Sequence, residues 1–304
     1  MRFLTYPHGT FNIMRLNAYV LAADPAWIQV SVLSYYEIVD TLVVSYDKRG
    51  IGWSGVPIPV DECVALLRAI DKDRKIKFIS GDFSARNRSP MDSDTYQRRC
   101  ALEESSANCD WVLMVDADEV LPDARKFQQR LSKQVPYAYG SVEWPMRPLF
   151  QRLPDGSFLE VCSLSGRQYS EYPGPIAIRP GVELTEARRN QALQWRFGLR
   201  PGLKARIKNP LKRLIGRQPT VHVRVCEDEA IWHFTWIRTE EQLRRKLSSW
   251  SHSLDFDTET YLDNVWRSAP ENWRKMQNFH PIYPELWPAL RTVNLPITLN
   301  PVSA

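Results

Sequence analysis

The run Trp111-Val-Leu-Met-Val115, followed at once by Asp116-Ala-Asp118, constrains this chain more than any other stretch. Large apolar residues without a polar interruption read as a strand buried on both faces, the pattern of a parallel sheet covered by helices on each side. In an extended chain Asp116 and Asp118 project to the same side. Such a strand delivers two carboxylates to the C-terminal edge of a sheet, where open α/β folds bind ligands. Carboxylate oxygens are hard ligands suited to Mg²⁺ or Mn²⁺, and such an ion bridges to the phosphates of a nucleotide. The competing reading is that both aspartates only cap the next helix, which Pro122 and Asp123 announce.

The segments before this strand alternate in kind. Asn17–Ala23 reads as a first core strand, and Asp24-Pro25 as the N-cap and first-turn proline of a helix running through Tyr36. Thr41–Tyr46 is a second strand with Asp47 at its end. Asp61–Asp71 carries apolar residues at helical spacing, Lys75–Ile79 is a strand, and Ser93–Ala107 is a helix. Alternating strands and helices predict right-handed crossovers and a mostly parallel sheet. Gly50-Ile-Gly52-Trp-Ser-Gly55 is formally a G-x-G-x-x-G, but Asp47, Lys48 and Arg49 separate it from the strand. Pro57 and Pro59 then stop a helix from opening there. It reads as a loop over the ligand edge, and it argues against dinucleotide binding.

Of 304 residues, 43% are hydrophobic and 25% charged, which fits a folded chain with a sizeable core. The net charge of +5 is concentrated, since eight basic residues and no acidic one lie between Arg196 and Arg217. A single basic patch on a chain otherwise near neutral does not suit a nucleic-acid partner. Leucines and isoleucines alternate with the basic residues of 196–217, so the segment fits an amphipathic helix on a membrane surface or a loop that meets anionic substrate. A solvated excursion without a partner fits it as well. The five cysteines form no Cys-x-x-Cys pair and read as free thiols in a reducing compartment. No apolar run near the start is long enough for a membrane span, so the expectation is a cytoplasmic chain, with attachment to the inner face of the membrane left open.

After Pro136 the pattern changes. Tyr139–Trp144 and Met146–Phe150 read as strands, and Pro154-Asp155-Gly156 as a turn. Tyr172–Gly181 is too rich in proline for a helix and is expected to wrap the sheet edge. Glu229–Trp236 is an aromatic strand holding His233, and Thr239–Gln242 is a capping box that starts a helix. His222 lies in an alternating Val-His-Val-Arg-Val strand. The closing segment, with Pro281, Pro284, Pro288 and Pro296, is expected to be extended.

Taken in order, the βαβ start, Asp47 ending the second strand, Val-Asp-Ala-Asp after a buried strand, and Trp-His-Phe-Thr-Trp resemble a GT-A-fold glycosyltransferase, close to family 2. The resemblance covers about residues 17–135 and, more loosely, the chain to Trp236. It implies an α/β, GT-A-like (Rossmann-like), mostly parallel central sheet flanked by helices. Residues 1–135 would be the nucleotide-sugar-binding part, and 136–304 a mixed acceptor part of the same catalytic domain. It further implies a UDP- or GDP-linked sugar donor, a glycan or lipid-linked acceptor, and Mn²⁺ or Mg²⁺. By position, Asp118 would be the main metal ligand and Asp116 would contact ribose or metal. Asp47 would recognise base or ribose, and Ala22, Ala23 and Asp24 would form the first nucleotide-contacting turn. His233 is the candidate third ligand, with a histidine satisfied in an aromatic core as its rival. Arg179 and Arg86 are candidates to assist the diphosphate, and Trp53, Trp144, Trp236 and Trp250 to stack on sugars.

An inverting transferase also needs a carboxylate to take the acceptor proton. The family's Glu-Asp pair is missing from the expected region, which leaves Glu171 first and Glu143 second, with Glu183 also available. Two other classes fit parts of the pattern. In a haloacid-dehalogenase-type phosphatase Asp116 would be the nucleophile and Asp118 the acid/base, but that motif normally begins its domain. A non-catalytic sugar-nucleotide-binding protein would keep the fold and lack the base.

Overall fold

The structure is a computed structural model that describes residues 14–84, 87–200 and 220–295. Chain order begins β1 (Leu16–Leu21), α1 (Pro25–Tyr35), β2 (Thr41–Asp47), α2 (Val60–Ile70), β3 (Ile76–Gly81), α3 (Pro90–Ser105) and β4 (Trp111–Met114). β1 pairs in parallel with both β2 and β4, and β2 with β3. Their side chains alternate between two cores. Ala18, Val20, Leu42, Val44 and Leu113 meet Ile28 and Val32 of α1 and Leu67 of α2 on one face. Tyr19, Leu21, Val43, Val112 and Met114 meet Ala101 and Leu102 of α3 on the other. Each such aliphatic side chain contributes about 1.5–3 kcal/mol on full burial, which is why these strands are mostly apolar on both faces.

The helix starts follow local chemistry. Asp24 caps α1 by accepting from Ala26 N, with Pro25 in the first turn. α3 begins at Pro90, three residues earlier than the apolar spacing predicts, because Ser89 accepts from Asp92 N and Pro90 presets the first turn.

The chain continues through β5 (Glu119–Val120), α4 (Ala124–Gln134), β6 (Ser141–Glu143), β7 (Met146–Arg152), β8 (Phe158–Cys162) and β9 (Ala177–Ile178). Then come β10 (Leu184–Glu186), β11 (Arg189–Asn190), β12 (Gln194–Leu199), β13 (Val223–Val225), β14 (Ile231–His233) and α5 (Glu240–Ser249). α6 (Thr258–Tyr261), α7 (Ala269–Asn272) and β15 (Ala289–Val293) complete it. The main sheet has eight strands in the order β13-β12-β6-β9-β4-β1-β2-β3. All neighbours are parallel except β9, which runs antiparallel to β4 and to β6. The fold is therefore α/β with a mostly parallel central sheet flanked by helices. β10 and β11 form a hairpin, and a second sheet has the order β15-β8-β7-β14-β5.

Two expectations change. Tyr172–Gly181 does not wrap an edge: Ile176-Ala-Ile178 enters the sheet interior, where β9 carries the ladder from β4 to β6. Arg196–Leu199 is strand β12, not a helix, because Phe197 faces the core with Trp195 and Leu199 packed against it at alternate positions. The rest of the basic segment, 201–219, lies outside the described residues, as do Arg86 and Pro296. Among the described residues no helix is long and apolar enough to cross a membrane.

Candidate active site

The Asp116-Ala-Asp118 segment links the two sheets, since β4 belongs to the first and β5 to the second. Its backbone is fixed from both ends. Ser31 Oγ donates to Asp116 O at 3.0 Å, and Asp116 N donates to Glu119 Oε2 at 3.0 Å. Glu119 is fully buried and takes a two-pronged ion pair from Arg188, at 2.8 and 2.7 Å. Arg188 also donates to Met114 O at 3.0 Å, which holds the exit of β4.

β14 pairs antiparallel with β5, placing His233 opposite Glu119, and Phe234 N donates to Asp118 O at 2.8 Å. Alternation along this segment then sorts the side chains. Trp232 and Phe234 pack with Trp27, whereas His233 and Thr235 turn towards Asp118. The aromatic neighbours therefore do not enclose His233, which is 18% exposed at its side chain.

Asp118 is nearly buried, and three donors converge on its Oδ2: Thr235 Oγ1 at 3.1 Å, Arg238 Nη2 at 3.1 Å, and Lys246 Nζ. Its Oδ1 has no hydrogen bond among the described residues, and His233 Nε2 stands 3.9 Å away. Burial raises the Asp118 carboxyl, but Lys246, Arg238 and His233 outweigh it and hold the group well below the usual carboxylate range. Lys246 is pushed below its ordinary value by burial and by Arg238, against the pull of Asp118 and Asp24. Arg238 also joins Asp24 Oδ2 at 2.7 Å, tying the end of β1 to the start of α5.

Asp116 Oδ1 accepts from Arg98 at 2.8 Å, while its Oδ2 lies 3.7 Å from Arg188. Arg98 in turn binds Asp94 one helical turn earlier, at 2.6 Å. Burial raises the Asp116 carboxyl, and Arg188 and Arg98 bring it below its ordinary value.

Two cavities meet at these aspartates. The first is lined by Ala22, Ala23, Asp24, Asp47, Trp53 and residues of the α5 end. The second is lined by Glu171, His233, Trp236, His280 and Trp287. Asp94, Arg98, Asp116, Asp118, Lys246 and Trp250 belong to both. The expected nucleotide turn, Asp47, both aspartates, His233 and Glu171 thus converge on one place.

Several expected residues have other duties. Asp47 borders the first cavity, but its oxygens accept from Arg49 N at 2.9 Å, Phe83 N at 2.9 Å and Ser84 Oγ at 3.1 Å. Burial raises its carboxyl, and these backbone donors reverse the shift to a net lowering. It shapes the loop that follows β2. That loop is closed by the Ile51–Pro57 bridge, with Gly50 and Gly55 in left-handed conformations that a side chain resists. Glu143 lines neither cavity, because β6 turns it into an ion pair with Arg196. Glu183 is exposed in the turn before β10. The chain's Glu-Asp step, Glu227-Asp228, is also outside both cavities, with Glu227 bound to Arg147 and Arg291. Arg179 stacks over Trp111 and Tyr137 and donates to Tyr139 O, away from the aspartates. His222 stacks on Trp195 and accepts from Arg196 N. Trp144 is core, bonded to Glu229 O, whereas Trp53 and Trp250 border the first cavity, Trp236 the second, and Trp250 both.

The expected metal set has the right atoms but is not drawn together. Among the described residues, the one group of three His, Cys, Asp or Glu ligand atoms within 4.8 Å of one another is Cys226, Asp228 and Glu229. Oδ1 of Asp118 and Oδ2 of Asp116 carry no hydrogen bond among the described residues, whereas Nε2 of His233 is engaged by Thr235 Oγ1 and would have to leave it to bind an ion. They suit a hard or borderline divalent ion.

The cations Arg98, Arg188, Arg238 and Lys246 were not apparent in the sequence. Asp94 and Arg98 at i,i+4 carry the one local signal. Arg188 follows Ala187, whose φ of +47° sets the hairpin turn that aims it inwards.

No family model matches this chain, and no curated protein matches it. Among solved structures it is similar to 4-diphosphocytidyl-2C-methyl-D-erythritol synthase from Anaerococcus prevotii DSM 20548, with 10% identity and a TM-score of 0.32, over 55% of this chain and 70% of that one.

Proposed function

We propose that this chain is a glycosyltransferase that moves a sugar from a nucleoside-diphosphate donor to a glycan or lipid-linked acceptor. The supporting observation is the meeting of two cavities at Asp116-Ala-Asp118, one beside the turn after β1, the other walled by aromatic rings and the half-buried carboxylate of Glu171. In this reading the nucleoside lies against Ala22, Ala23 and Asp24, with its diphosphate at the aspartates. Lys246 and Arg238, already gathered on Asp118, attract the anionic leaving group and stabilise the charge that grows on it. Mg²⁺ or Mn²⁺ held by Asp118, Asp116 and His233 would supply further positive charge there. Burial keeps water from screening these interactions.

Glu171 is the acceptor-side base in this proposal. Burial pushes its carboxyl up, against opposing pulls from His233 and the Trp287 N–H, and a base with a raised value is better matched to neutral operation. Its Oε1 is held by the Trp287 indole, leaving the second oxygen for the acceptor hydroxyl. The test is nucleotide release from UDP- and GDP-sugars, with and without Mn²⁺, by wild type, Asp118→Asn and Glu171→Gln. Release that both substitutions cripple supports the transferase. Phosphate-ester hydrolysis that depends on Asp116 would instead make the chain a phosphatase, and tight nucleotide binding without turnover would make it a binding protein.

A further inference from the structure

His280 stands in the second cavity with its ring orientation fixed from behind. Nδ1 accepts from Ile282 N at 3.2 Å and from Tyr283 N at 2.9 Å, so that nitrogen carries no proton. The ring is wedged edge-on against Trp287, with centroids 4.7 Å apart, and faces Tyr283 at 6.1 Å with an interplanar angle of 20°. With Nδ1 an acceptor, the neutral imidazole must carry its proton on Nε2, for which no partner exists among the described residues. Burial drives its imidazolium down to about 4, with Glu285 opposing and His252 adding to the shift. The ring is therefore a neutral donor throughout the physiological range. Trp287, which wedges it, also holds Glu171 Oε1.

We propose that His280, Tyr283 and Trp287 form a subsite for a sugar ring of the acceptor, in which the Nε2–H of His280 donates to a ring or hydroxyl oxygen. A neutral donor framed by aromatic rings suits an uncharged oxygen above an apolar ring face, which is how a pyranose presents itself. A phosphate would call for cations, and those lining this cavity are engaged elsewhere, Arg98, Arg188 and Lys246 at Asp116 and Asp118 and Arg189 with Glu186, whereas His280 is flanked by Tyr283 and Trp287. The subsite rests on the transferase reading above, and it assigns the acceptor's terminal sugar to the wall beside Glu171.

The test uses the full chain and the methyl glycosides of glucose, galactose, mannose and N-acetylglucosamine. ¹⁵N-detected imidazole spectra should show the Nε2–H tautomer of His280, and at least one glycoside should shift its signals. His280→Asn keeps an acceptor for the backbone N–H groups of residues 282 and 283, but its amide donor stops short of the position that Nε2 occupies. It should weaken that glycoside about tenfold, the loss of one hydrogen bond. His280→Gln restores a donor at similar reach and should recover to within about threefold of wild type. UDP and GDP affinity should be unchanged in both variants. An Nδ1–H tautomer, no response to any glycoside, or equal affinity in His280→Asn would overturn the subsite. Absence of nucleotide binding in wild type would defeat the donor-site reading while leaving the glycoside result to stand or fall separately.

Discussion

Glu160 and Asp118 are both buried carboxylates flanked by two basic side chains, yet their surroundings differ. Glu160 has each oxygen occupied, Oε1 by Arg147 and Oε2 by Arg291 at 2.8 Å. Arg147 and Arg291 also reach Glu227, and Glu160 borders neither cavity. Asp118 has three donors crowded on one oxygen and none bonded to the other, and it opens on both cavities. The first cluster is closed and belongs to the joint between β7, β8 and β15. The second is uneven in its bonding, since Arg238 and Lys246 share one oxygen of Asp118 and leave the other open, although Asp24 and Asp118 together match their charge. An anion entering there meets cations already desolvated and oriented, so less reorganisation opposes its binding.

Breaking the closed cluster should produce the largest effect. Glu160→Ala leaves Arg147 and Arg291 with Glu227 as their one shared partner and should cost about 3 kcal/mol of stability. Urea unfolding measures it, and nucleotide affinity of the folded fraction should not change. Asp118→Asn should reverse the pattern, lowering sugar-nucleotide turnover on the order of 10²–10³-fold. Its loss of stability should be smaller than that of Glu160→Ala, because the remaining cations face open cavities. Equal destabilisation by the two would remove the distinction between the clusters.

The pH profile sharpens the comparison further. Glu171 must be ionised to act as a base, and burial lifts its carboxyl above the ordinary 4.5. Turnover should therefore be low below that raised value and climb as pH rises through it. The limb should vanish in Glu171→Gln. A profile unchanged by the substitution would assign the base elsewhere. Thr235→Val should have the smallest effect, about 1 kcal/mol or less than tenfold in turnover, because it removes one neutral donor from Asp118 and frees the His233 ring.

What the sequence reveals follows the same division. Strands β1, β2 and β4 are legible because burial on both faces makes them mostly apolar, with Asn17 and Ser45 the buried polar exceptions before the strand ends, and Asp24-Pro25 marks its helix by local chemistry alone. The short strands β5 and β9 are not legible, since two residues carry no period, and β14 is read only as part of Glu229–Trp236, without its partner strand. Yet the β5–β14 pairing is what brings His233 to Asp118. Glu119 looks like the approach to a helix, and only the hairpin carrying Arg188 reveals it as the buried anchor of the aspartate segment. Arg98 and Lys246 lie on helices where basic residues usually mean solvent, so only tertiary packing distinguishes them from a charged surface. The proposed base is hardest to read: in sequence only the Pro-Gly-Pro after Glu171 ranks it above Glu143, whereas the pairing of Glu143 with Arg196 is what separates a closed carboxylate from one facing a cavity.

The most direct test of the central claim is a crystal structure of this chain grown with Mn²⁺ and UDP or GDP. The account predicts the nucleoside against Ala22–Asp24, its diphosphate at Asp116 and Asp118, and Lys246 turned from Asp118 towards a phosphate oxygen. A nucleotide bound away from the first cavity, or a diphosphate that leaves the Lys246–Asp118 pair untouched, would contradict it.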